Sequence, residues 1–239
     1  MRTIDTLTQA LLDARNSGSR ADASALPSPD YQQALAVQRA VQARIGKVSG
    51  FKVARRAEEP PVIAPIPAQK TFPSGAALPV RDRLGIELEI GFEVIASPGP
   101  DPMQDAARVF RPRLVLELVD TRLTGAENDP LLKLADMQIN DGLVLGPELQ
   151  RWNGQDFSTL DARLTCGSQI VLSGTATVPG GSALTNLALL CTHLGDHCGG
   201  LQIGQTVITG SLSGLHYFPA ATDVVGHIDG FGSISCQLR

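Results

Sequence analysis

The strongest pattern in the chain is an alternation of apolar and acidic residues in residues 85–94, Gly-Ile-Glu-Leu-Glu-Ile-Gly-Phe-Glu-Val. A period of two predicts a β-strand whose successive side chains point to opposite faces. Glu87 and Glu89, with Glu93 further along, then share one face, and apolar residues occupy the other. Two carboxylates on one strand face repel each other unless a proton or a cation lies between them. A solvated surface strand and a site for a hard divalent cation are the two interpretations of this strand.

Helical periodicity occurs in three longer segments. Apolar residues recur at spacings of three and four in residues 4–16, 31–45 and 183–194. The second segment ends near Gly46, a residue typical of helix C-termini. Residues 1–50 are therefore predicted to form an N-terminal helical portion, suited to packing or to contacts between subunits.

Residues 51–239 are dominated by short strand patterns, with one short helix predicted at 104–110. Strands are predicted at residues 50–54, 77–80, 85–94, 113–120, 163–166, 169–174, 176–178, 206–211, 224–228 and 233–238. Residues 58–67 contain several prolines and are predicted to be an irregular loop. The strands do not alternate with helices, which disfavours a doubly wound sheet.

Two further charged residues lie in apolar strand patterns. Glu117 lies in an almost wholly apolar run typical of a strand buried on both faces, where a carboxylate requires a partner. An ion pair with Arg113 or Arg122 and a cation shared with other carboxylates would each satisfy it. Lys52, in Gly-Phe-Lys-Val-Ala, is either a surface residue or a half-buried one with a lowered pKa.

Composition and charge indicate which classes of protein are compatible with this sequence. The chain has 239 residues, of which 43% are hydrophobic and 18% charged, so a folded core is expected. A net charge of −4 and a pI of about 5.5 show no excess of positive charge of the kind that binds nucleic acid or an anionic membrane. No apolar run approaches the ~20 residues that cross a bilayer, and the N-terminus lacks an apolar signal core. A cytoplasmic location is expected.

Several landmarks follow one another along the chain. They are the helix at 31–45, Gly50-Phe-Lys52, Gly85-Ile-Glu-Leu-Glu-Ile-Gly-Phe92, Leu116-Glu-Leu-Val-Asp120, Ala135-Asp136 with Leu145-Gly146, Leu194-Gly195, Val207-Ile-Thr-Gly-Ser211 and Gly230-Phe-Gly-Ser-Ile-Ser235. In this order they resemble the fumarylacetoacetate hydrolase superfamily, and within it the 2-keto-4-pentenoate hydratase and 4-oxalocrotonate decarboxylase branch. The resemblance covers nearly the whole chain.

The resemblance implies an α+β fold, with a mixed β-roll catalytic domain at residues 51–239 preceded by the N-terminal helices. It also implies a divalent metal, Mg²⁺ or Mn²⁺, held by Glu87, Glu89 and Glu117. Lys52 falls on the lysine that the resemblance makes catalytic, as a base or acid that moves a proton on an oxo acid substrate. A homo-oligomer is expected.

The segments that would recognise substrate depart from the superfamily pattern. After Lys52 the superfamily has roughly Ile-Gly-Leu-Thr-Ser, whereas this chain has Val-Ala-Arg-Arg, and Ala-Asp-Asn-Ala-Ser-Ser-Gly is replaced by Ala-Asp-Met-Gln-Ile-Asn-Asp-Gly. Arg55 is either a partner for a second substrate carboxylate or a solvated residue. The residues predicted to contact the substrate are Arg55, Gln138, Thr209 and Ser211.

Three functions are compatible with these residues. The first is a metal-dependent lyase, a hydratase or decarboxylase of a 2-oxo or 2-hydroxydienoic acid from aromatic catabolism. The second is a hydrolase of an acylpyruvate, which requires a base for water, with His216 and His227 as candidates. The third is a metal-binding member without activity. Metal-dependent turnover of 2-hydroxypenta-2,4-dienoate separates the first from the others.

Overall fold

The computed structural model describes residues 2–56 and 60–239. No helix in these residues is both long and apolar enough to span a bilayer. The helices are α1 (Arg2–Ser17), α2 (Tyr31–Ile45), α3 (Ala106–Val109), α4 (Pro130–Ala135) and α5 (Ala183–His193). The three long helices predicted from periodicity and the short helix at 104–110 are confirmed. The α+β class, with a mixed β-roll and N-terminal helices, is confirmed as well.

The strands form two large sheets and one small one. They are β1 (Ala21–Asp22), β2 (Val48–Ala54), β3 (Val62–Pro67), β4 (Thr71–Pro73), β5 (Ala76–Leu78), β6 (Leu84–Val94), β7 (Phe110–Val119), β8 (Leu123–Thr124), β9 (Asn140–Glu148), β10 (Thr159–Cys166), β11 (Gln169–Thr177), β12 (Thr206–Ile208), β13 (His216–Phe218), β14 (Thr222–Ile228) and β15 (Gly232–Leu238). The larger sheet has the order β3-β2-β12-β6-β7-β9-β4, and β13 also pairs with β6. The second has the order β11-β10-β14-β15-β5, and β1 pairs with β8.

The main core lies between the two large sheets. The apolar face of β6, which carries Ile86, Leu88 and Ile90, is fully buried there. Gly226 of β14 lies so close to Leu88 that a Cβ on this glycine would come within 2.7 Å of the leucine side chain. Burial of this face leaves the acidic face of the same strand turned away from the core, so one alternating sequence builds both the core and the site.

The N-terminal helices cover one edge of the larger sheet. Helix α2 begins with a capping box in which Asp30 and Gln33 exchange side-chain and backbone hydrogen bonds, so this end of the helix is sharply defined. Its buried Gln38 donates to the carbonyl oxygens of Ile63 at 3.1 Å and Leu134 at 2.6 Å. The helix is thereby tied to β3 and to α4, which places the helical portion against the sheet that carries the site.

The prediction of an irregular loop over residues 58–67 is wrong for residues 62–67, which form β3. Glu58 and Glu59 lie outside the described residues. Pro65 and Pro67 are compatible with a strand here because β3 is at the edge of the sheet, where a missing backbone N–H breaks no ladder. All six residues are buried, and Val62 and Ala64 pack in the same apolar cluster as Val37 of α2, so helices cover the edge.

His197 is a buried histidine held neutral by its surroundings. Its Nε2 lies 2.9 Å from Oε1 of Gln38, and its Nδ1 lies 3.3 Å from a guanidinium nitrogen of Arg39. Because Arg39 only donates, Nδ1 accepts and carries no proton. Burial and the charge of Arg39 lower the pKa of His197 from 6.5 to about 4.

We expect this histidine to make the fold less stable in acid. The unfolded chain takes up a proton at His197 below pH 6.5 and the folded chain only near pH 4, so stability is lost as pH falls through this window. The loss attributable to the histidine is about 3 kcal/mol. Urea unfolding of wild type and His197→Gln, measured across the window, checks it. Glu87, whose pKa is raised to about 7, titrates close to this window, so the difference between the two proteins is the quantity to compare.

The exposed His193 provides the control, since His193→Gln leaves the buried contacts in place. Its pH dependence is expected to match that of wild type. Parallel curves for wild type and His197→Gln would show that the histidine does not couple folding to protons.

Candidate metal centre

Three glutamates meet where β6 pairs with β7. The antiparallel register places Glu87 directly opposite Glu117, and Glu89 follows on the same face of β6. One carboxylate oxygen from each of the three lies within 4.8 Å of the others. Glu89 and Glu117 are buried and Glu87 is partly exposed. In the described part of the chain this is the one group of three or more metal-ligating side chains arranged in this way.

Lys52 reaches the same cluster from β2. Lys52 pairs with Ile208 of β12, and Ile208 pairs with Gly91 of β6. Gly91 lies two residues after Glu89, so Lys52 shares the face of the glutamates. Its Nζ donates to Oε1 of Glu117 at 2.6 Å and to the backbone carbonyl oxygen of Gln138 at 3.4 Å. Neither ion pair considered from sequence for Glu117, with Arg113 or Arg122, is formed; the partner of Glu117 is this lysine.

Asn140, the first residue of β9, also belongs to the site. It is fully buried, and its side-chain amide donates to Oε1 of Glu117 at 2.8 Å. Sequence reasoning missed it, although a polar residue at the start of a buried strand was a visible signal. Because Lys52 and Asn140 both bind Oε1, the other oxygen of Glu117, Oε2, is buried without a hydrogen-bond partner among the described residues. That oxygen is free to bind a ligand.

The segment between β12 and β13 covers the middle of β6. β12 pairs with residues 91–93 and β13 with residues 84–86, and residues 209–215 pass over the stretch between them. The backbone N–H of Gly210 donates to Oε2 of Glu89 at 2.7 Å. Glycine is needed there: its φ is +113°, and a Cβ would come within 2.8 Å of Pro179.

A strained turn forms the opposite wall. Met137, Gln138 and Ile139 all have left-handed backbone conformations, with φ values of 54°, 49° and 56°. Each costs roughly 1–2 kcal/mol in a residue other than glycine. The buried side chain of Met137 and a hydrogen bond from the N–H of Asp120 to the Ile139 carbonyl, 3.0 Å, hold the turn. The result is that the carbonyl and side chain of Gln138 both face the site.

Burial and mutual repulsion raise the pKa values of the carboxylates. Desolvation and the charge of Glu117 raise the pKa of Glu87 to about 7, with a hydrogen bond from Ser211 opposing the rise. Desolvation and the charges of Glu117 and Glu87 raise the pKa of Glu89 well above its ordinary value. The site therefore favours a compensating positive charge, which protons or a bound cation would supply.

The lowered pKa expected of Lys52 beside a cation stays a prediction, because the groups that set its pKa in the structure are the protein's own. Burial lowers the pKa of this lysine, but the charges of Glu117 and Glu87 and the hydrogen bond to Glu117 outweigh burial and raise it above its ordinary value. Sequence reasoning included the desolvation of the lysine but not how close the carboxylates lie. The lysine is an ammonium group.

The donor set fits a hard divalent cation. Three carboxylates and one ammonium group carry a net charge of −2, which the +2 charge of Mg²⁺ or Mn²⁺ would balance. Oxygen atoms are the ligands that these ions prefer. A cation there would give Oε2 of Glu117 a partner and would offset the repulsion that raises the pKa values of Glu87 and Glu89.

A cavity of about 370 Å³ opens beside the cluster. Gln138 and Ser211, both predicted to contact substrate, line it together with Lys52 and the glutamates. Thr209 is buried, and its hydroxyl donates to the carbonyl oxygen of Ile90 at 2.9 Å, so it holds the covering segment on β6. Arg55 is exposed and follows the lining residue Ala54.

Neither candidate histidine lies against the carboxylates. His216 pairs with Ile86, so its side chain belongs to the face opposite Glu87, and its Nε2 lies 3.2 Å from the carbonyl oxygen of Ser213. His227 lies in the second sheet, 3.2 Å from the carboxylate of Asp229. Neither histidine is therefore placed to act with the glutamates, whereas Lys52 contacts Glu117 directly.

We expect Asn140→Ala to weaken metal binding by about 10- to 100-fold, because Glu117 loses one of the two donors that orient its carboxylate. Titration calorimetry with Mn²⁺ measures the change. Asn153→Ala, at an exposed residue outside the lining of the cavity, is the matched control and is expected to bind like wild type. Equal affinity in the Asn140 variant would show that Lys52 alone orients Glu117.

Comparison with known proteins gives matches only at the level of structure. No family model matches the sequence, and no curated protein matches it. 4-Oxalocrotonate decarboxylase from Pseudomonas putida G7, solved with calcium and acetate, superposes with a TM-score of 0.81 and 18% identity, over 100% of this chain and 98% of the other. The same enzyme solved with magnesium and adipate gives a TM-score of 0.80 and 19% identity, with the same coverage.

A more distant similarity is to fumarylpyruvate hydrolase from Pseudomonas aeruginosa, solved with Mn²⁺ and pyruvate. Its TM-score is 0.57 at 17% identity, over 79% of this chain and 88% of the other. At these identities the likeness shows a common fold. The predicted resemblance to the fumarylacetoacetate hydrolase superfamily is confirmed at that level.

Proposed function

We propose that this protein is a divalent-metal-dependent lyase acting on a 2-oxo acid or its 2-hydroxydienoic form, by loss of carbon dioxide or by addition of water. The observation that carries the proposal is the buried cluster of Glu87, Glu89 and Glu117, with one glutamate oxygen unpartnered and an ammonium group beside it. Such a cluster is unfavourable unless a cation completes it.

Glu87, Glu89 and Glu117 would hold the metal, Mg²⁺ or Mn²⁺. When bound, the cation supplies a Lewis acid that polarises the oxo group of the substrate and stabilises negative charge on its oxygen. The Gly210 N–H and the side chain of Asn140 fix two of the three carboxylates, so the site is organised before substrate enters.

Lys52 would deliver the proton. Its Nζ donates to Glu117 at 2.6 Å, so the lysine is held beside the carboxylates, where it can carry the transferred proton. Loss of carbon dioxide breaks a carbon–carbon bond and leaves the electron pair on the conjugated chain, and the Nζ proton then adds to carbon. In hydration the Nζ proton adds to a carbon of the diene, the enol hydroxyl becomes the oxo group as its proton returns to Nζ, and water then adds across the remaining double bond, its hydroxyl to one carbon and its proton to the other.

Two observations support a lyase over a hydrolase. The similarity to 4-oxalocrotonate decarboxylase extends over essentially both chains, whereas that to fumarylpyruvate hydrolase covers 79% of this one. A hydrolase also requires a base that activates water, and neither His216 nor His227 faces the carboxylates.

The proposal is tested by following the ultraviolet absorbance of 2-hydroxypenta-2,4-dienoate and of 4-oxalocrotonate with Mg²⁺, with Mn²⁺ and with a chelator. Metal-dependent loss of absorbance from either substrate supports the lyase, and carbon dioxide release separates decarboxylation from hydration. Hydrolysis of an acylpyruvate with neither lyase reaction would assign the hydrolase. Metal binding without turnover of any of these substrates would indicate a protein that has kept the site but not the activity.

A further inference from the structure

A second cavity, also of about 370 Å³, lies beside Leu84 at the start of β6 and Asp120 just after β7. It shares no lining residue with the cavity at the carboxylate cluster. Two carboxylates line it, Asp120 and Asp141, against five cationic side chains. These are Arg15, Lys70, Arg81, Arg83 and Arg122. The protein as a whole has a net charge of −4, so this concentration of positive charge is local.

Both lining carboxylates are already neutralised. Asp141 accepts from Lys70 at 3.3 Å and from Arg122 at 3.3 Å. Asp120 accepts from Arg20 at 2.7 Å. The acids of the cavity therefore have partners, and the remaining arginines are not balanced by them.

Arg15 is the least satisfied of these arginines. Its Nε is buried and has no hydrogen-bond partner in the described part of the chain. Its ion pair with Asp136 is long, at 3.8 Å, and Arg122 binds that carboxylate more closely, at 2.6 Å. Burial and the charge of Arg122 lower the pKa of Arg15 to about 10. This guanidinium lacks an anion of its own.

Arg81 and Arg83 present two more guanidinium groups at the mouth of the cavity. Both are exposed, and Arg83 donates to the backbone carbonyl oxygen of Tyr217 at 2.7 Å. Across residues 2–56 and 60–239, the Arg81 side chain has no hydrogen bond and no ion pair within 4 Å, although its charge helps to lower the pKa of the neighbouring Asp82. Asp82, between them in sequence, is held by Arg20 through two hydrogen bonds of 2.8 Å. Neither arginine thus has a carboxylate partner.

We propose that this cavity is a binding site for a small dianion, a phosphate group or a dicarboxylate, held between Arg15, Arg81 and Arg83. Guanidinium groups bind both kinds of anion through paired N–H donors, and an anion there would give the buried Nε of Arg15 its missing partner. The site does not depend on the proposed reaction, because the metal centre lies in a different cavity.

The test is titration calorimetry of the metal-free full-length protein with inorganic phosphate and, separately, with succinate, at constant ionic strength set with chloride. Removing metal prevents either anion from binding through a cation at the glutamates, which then repel anions. We expect saturable binding of one anion per chain. Binding of phosphate alone assigns phosphate chemistry, and binding of succinate alone assigns a dicarboxylate.

Arg81→Gln and Arg83→Gln alter exposed side chains and leave the buried ion pairs intact, so these variants are expected to fold. Each is expected to weaken binding by about tenfold, the effect of losing one charge-assisted contact. Arg15→Gln is expected to weaken it at least as much, and Arg163→Gln, an exposed arginine on β10, should bind like wild type. No saturable binding of either anion, or unchanged affinity in the Arg81 and Arg83 variants, would overturn the proposal.

Discussion

Glu117→Gln is expected to lower kcat for metal-dependent turnover by about a thousandfold or more, because the substitution removes the charged carboxylate whose Oε2 has no protein partner. Glutamine would place an amide nitrogen, a donor, where either Lys52 or a metal requires an acceptor. Affinity for Mn²⁺ should fall by about 100-fold or more. Steady-state kinetics and calorimetry measure the two effects.

Without metal, the Glu117→Gln variant is expected to be at least as stable as wild type without metal. Glu117 raises the pKa values of both Glu87 and Glu89, so its removal relieves repulsion. Thermal melting in chelator checks this and separates lost activity from lost folding. Glu93→Gln is the matched control, since Glu93 lies further along the same face and is bound by Arg113 at 2.6 Å. Normal turnover in Glu117→Gln would show that this glutamate does not serve the reaction.

Lys52→Met is expected to lower kcat by about 10²- to 10⁴-fold while metal binding is retained or becomes tighter. The substitution removes the proton donor. It also removes a positive charge that competes with a cation for the same carboxylates, since Nζ lies 2.6 Å from Glu117. The combination of lost turnover with intact metal affinity is what identifies a proton-transfer role.

A parallel fall in kcat and in metal affinity would instead assign Lys52 the task of orienting Glu117. Lys47→Met provides the comparison, because this exposed lysine lies five positions earlier and just before β2. It is expected to behave like wild type in both measurements. Full activity in Lys52→Met would show that the proton comes from elsewhere.

Much of the fold was predictable because the local pattern of apolar and polar residues agrees with the helix or strand that forms. The alternation in β6 and the helical spacing in α1 and α2 each specify an element whose apolar face is buried as expected. Strand β3 was not predictable in this way. Its prolines indicate a loop when read locally, and only its place at a helix-covered sheet edge makes them compatible with a strand.

The site was predictable where it depends on strand register and was missed where it depends on turns. Glu87 and Glu89 share a face by periodicity alone, and pairing of β6 with β7 brings Glu117 opposite them. Asn140 comes near Glu117 through the pairing of β9 with β7, whose register shifts between Leu118 and Val119, and it follows the left-handed turn at residues 137–139, a conformation that no sequence pattern in Met-Gln-Ile indicates. The raised pKa of Lys52 likewise follows from distances rather than from residue type.

The covering segment at residues 209–215 has a consequence for protein engineering. Both of its ends are hydrogen-bonded, through β12 and β13, to the same strand β6, so the span it must cross is set by that strand. An inserted or deleted residue would shift the Gly210 N–H off Glu89, whereas an exchange at Ser211 or Gly214 keeps the span and alters the cavity lining, with loss of the Ser211 hydrogen bond to Glu87 or strain at the left-handed backbone of Gly214. Libraries of constant length at these positions are therefore the route to altered substrate choice, with the metal-binding strands left untouched.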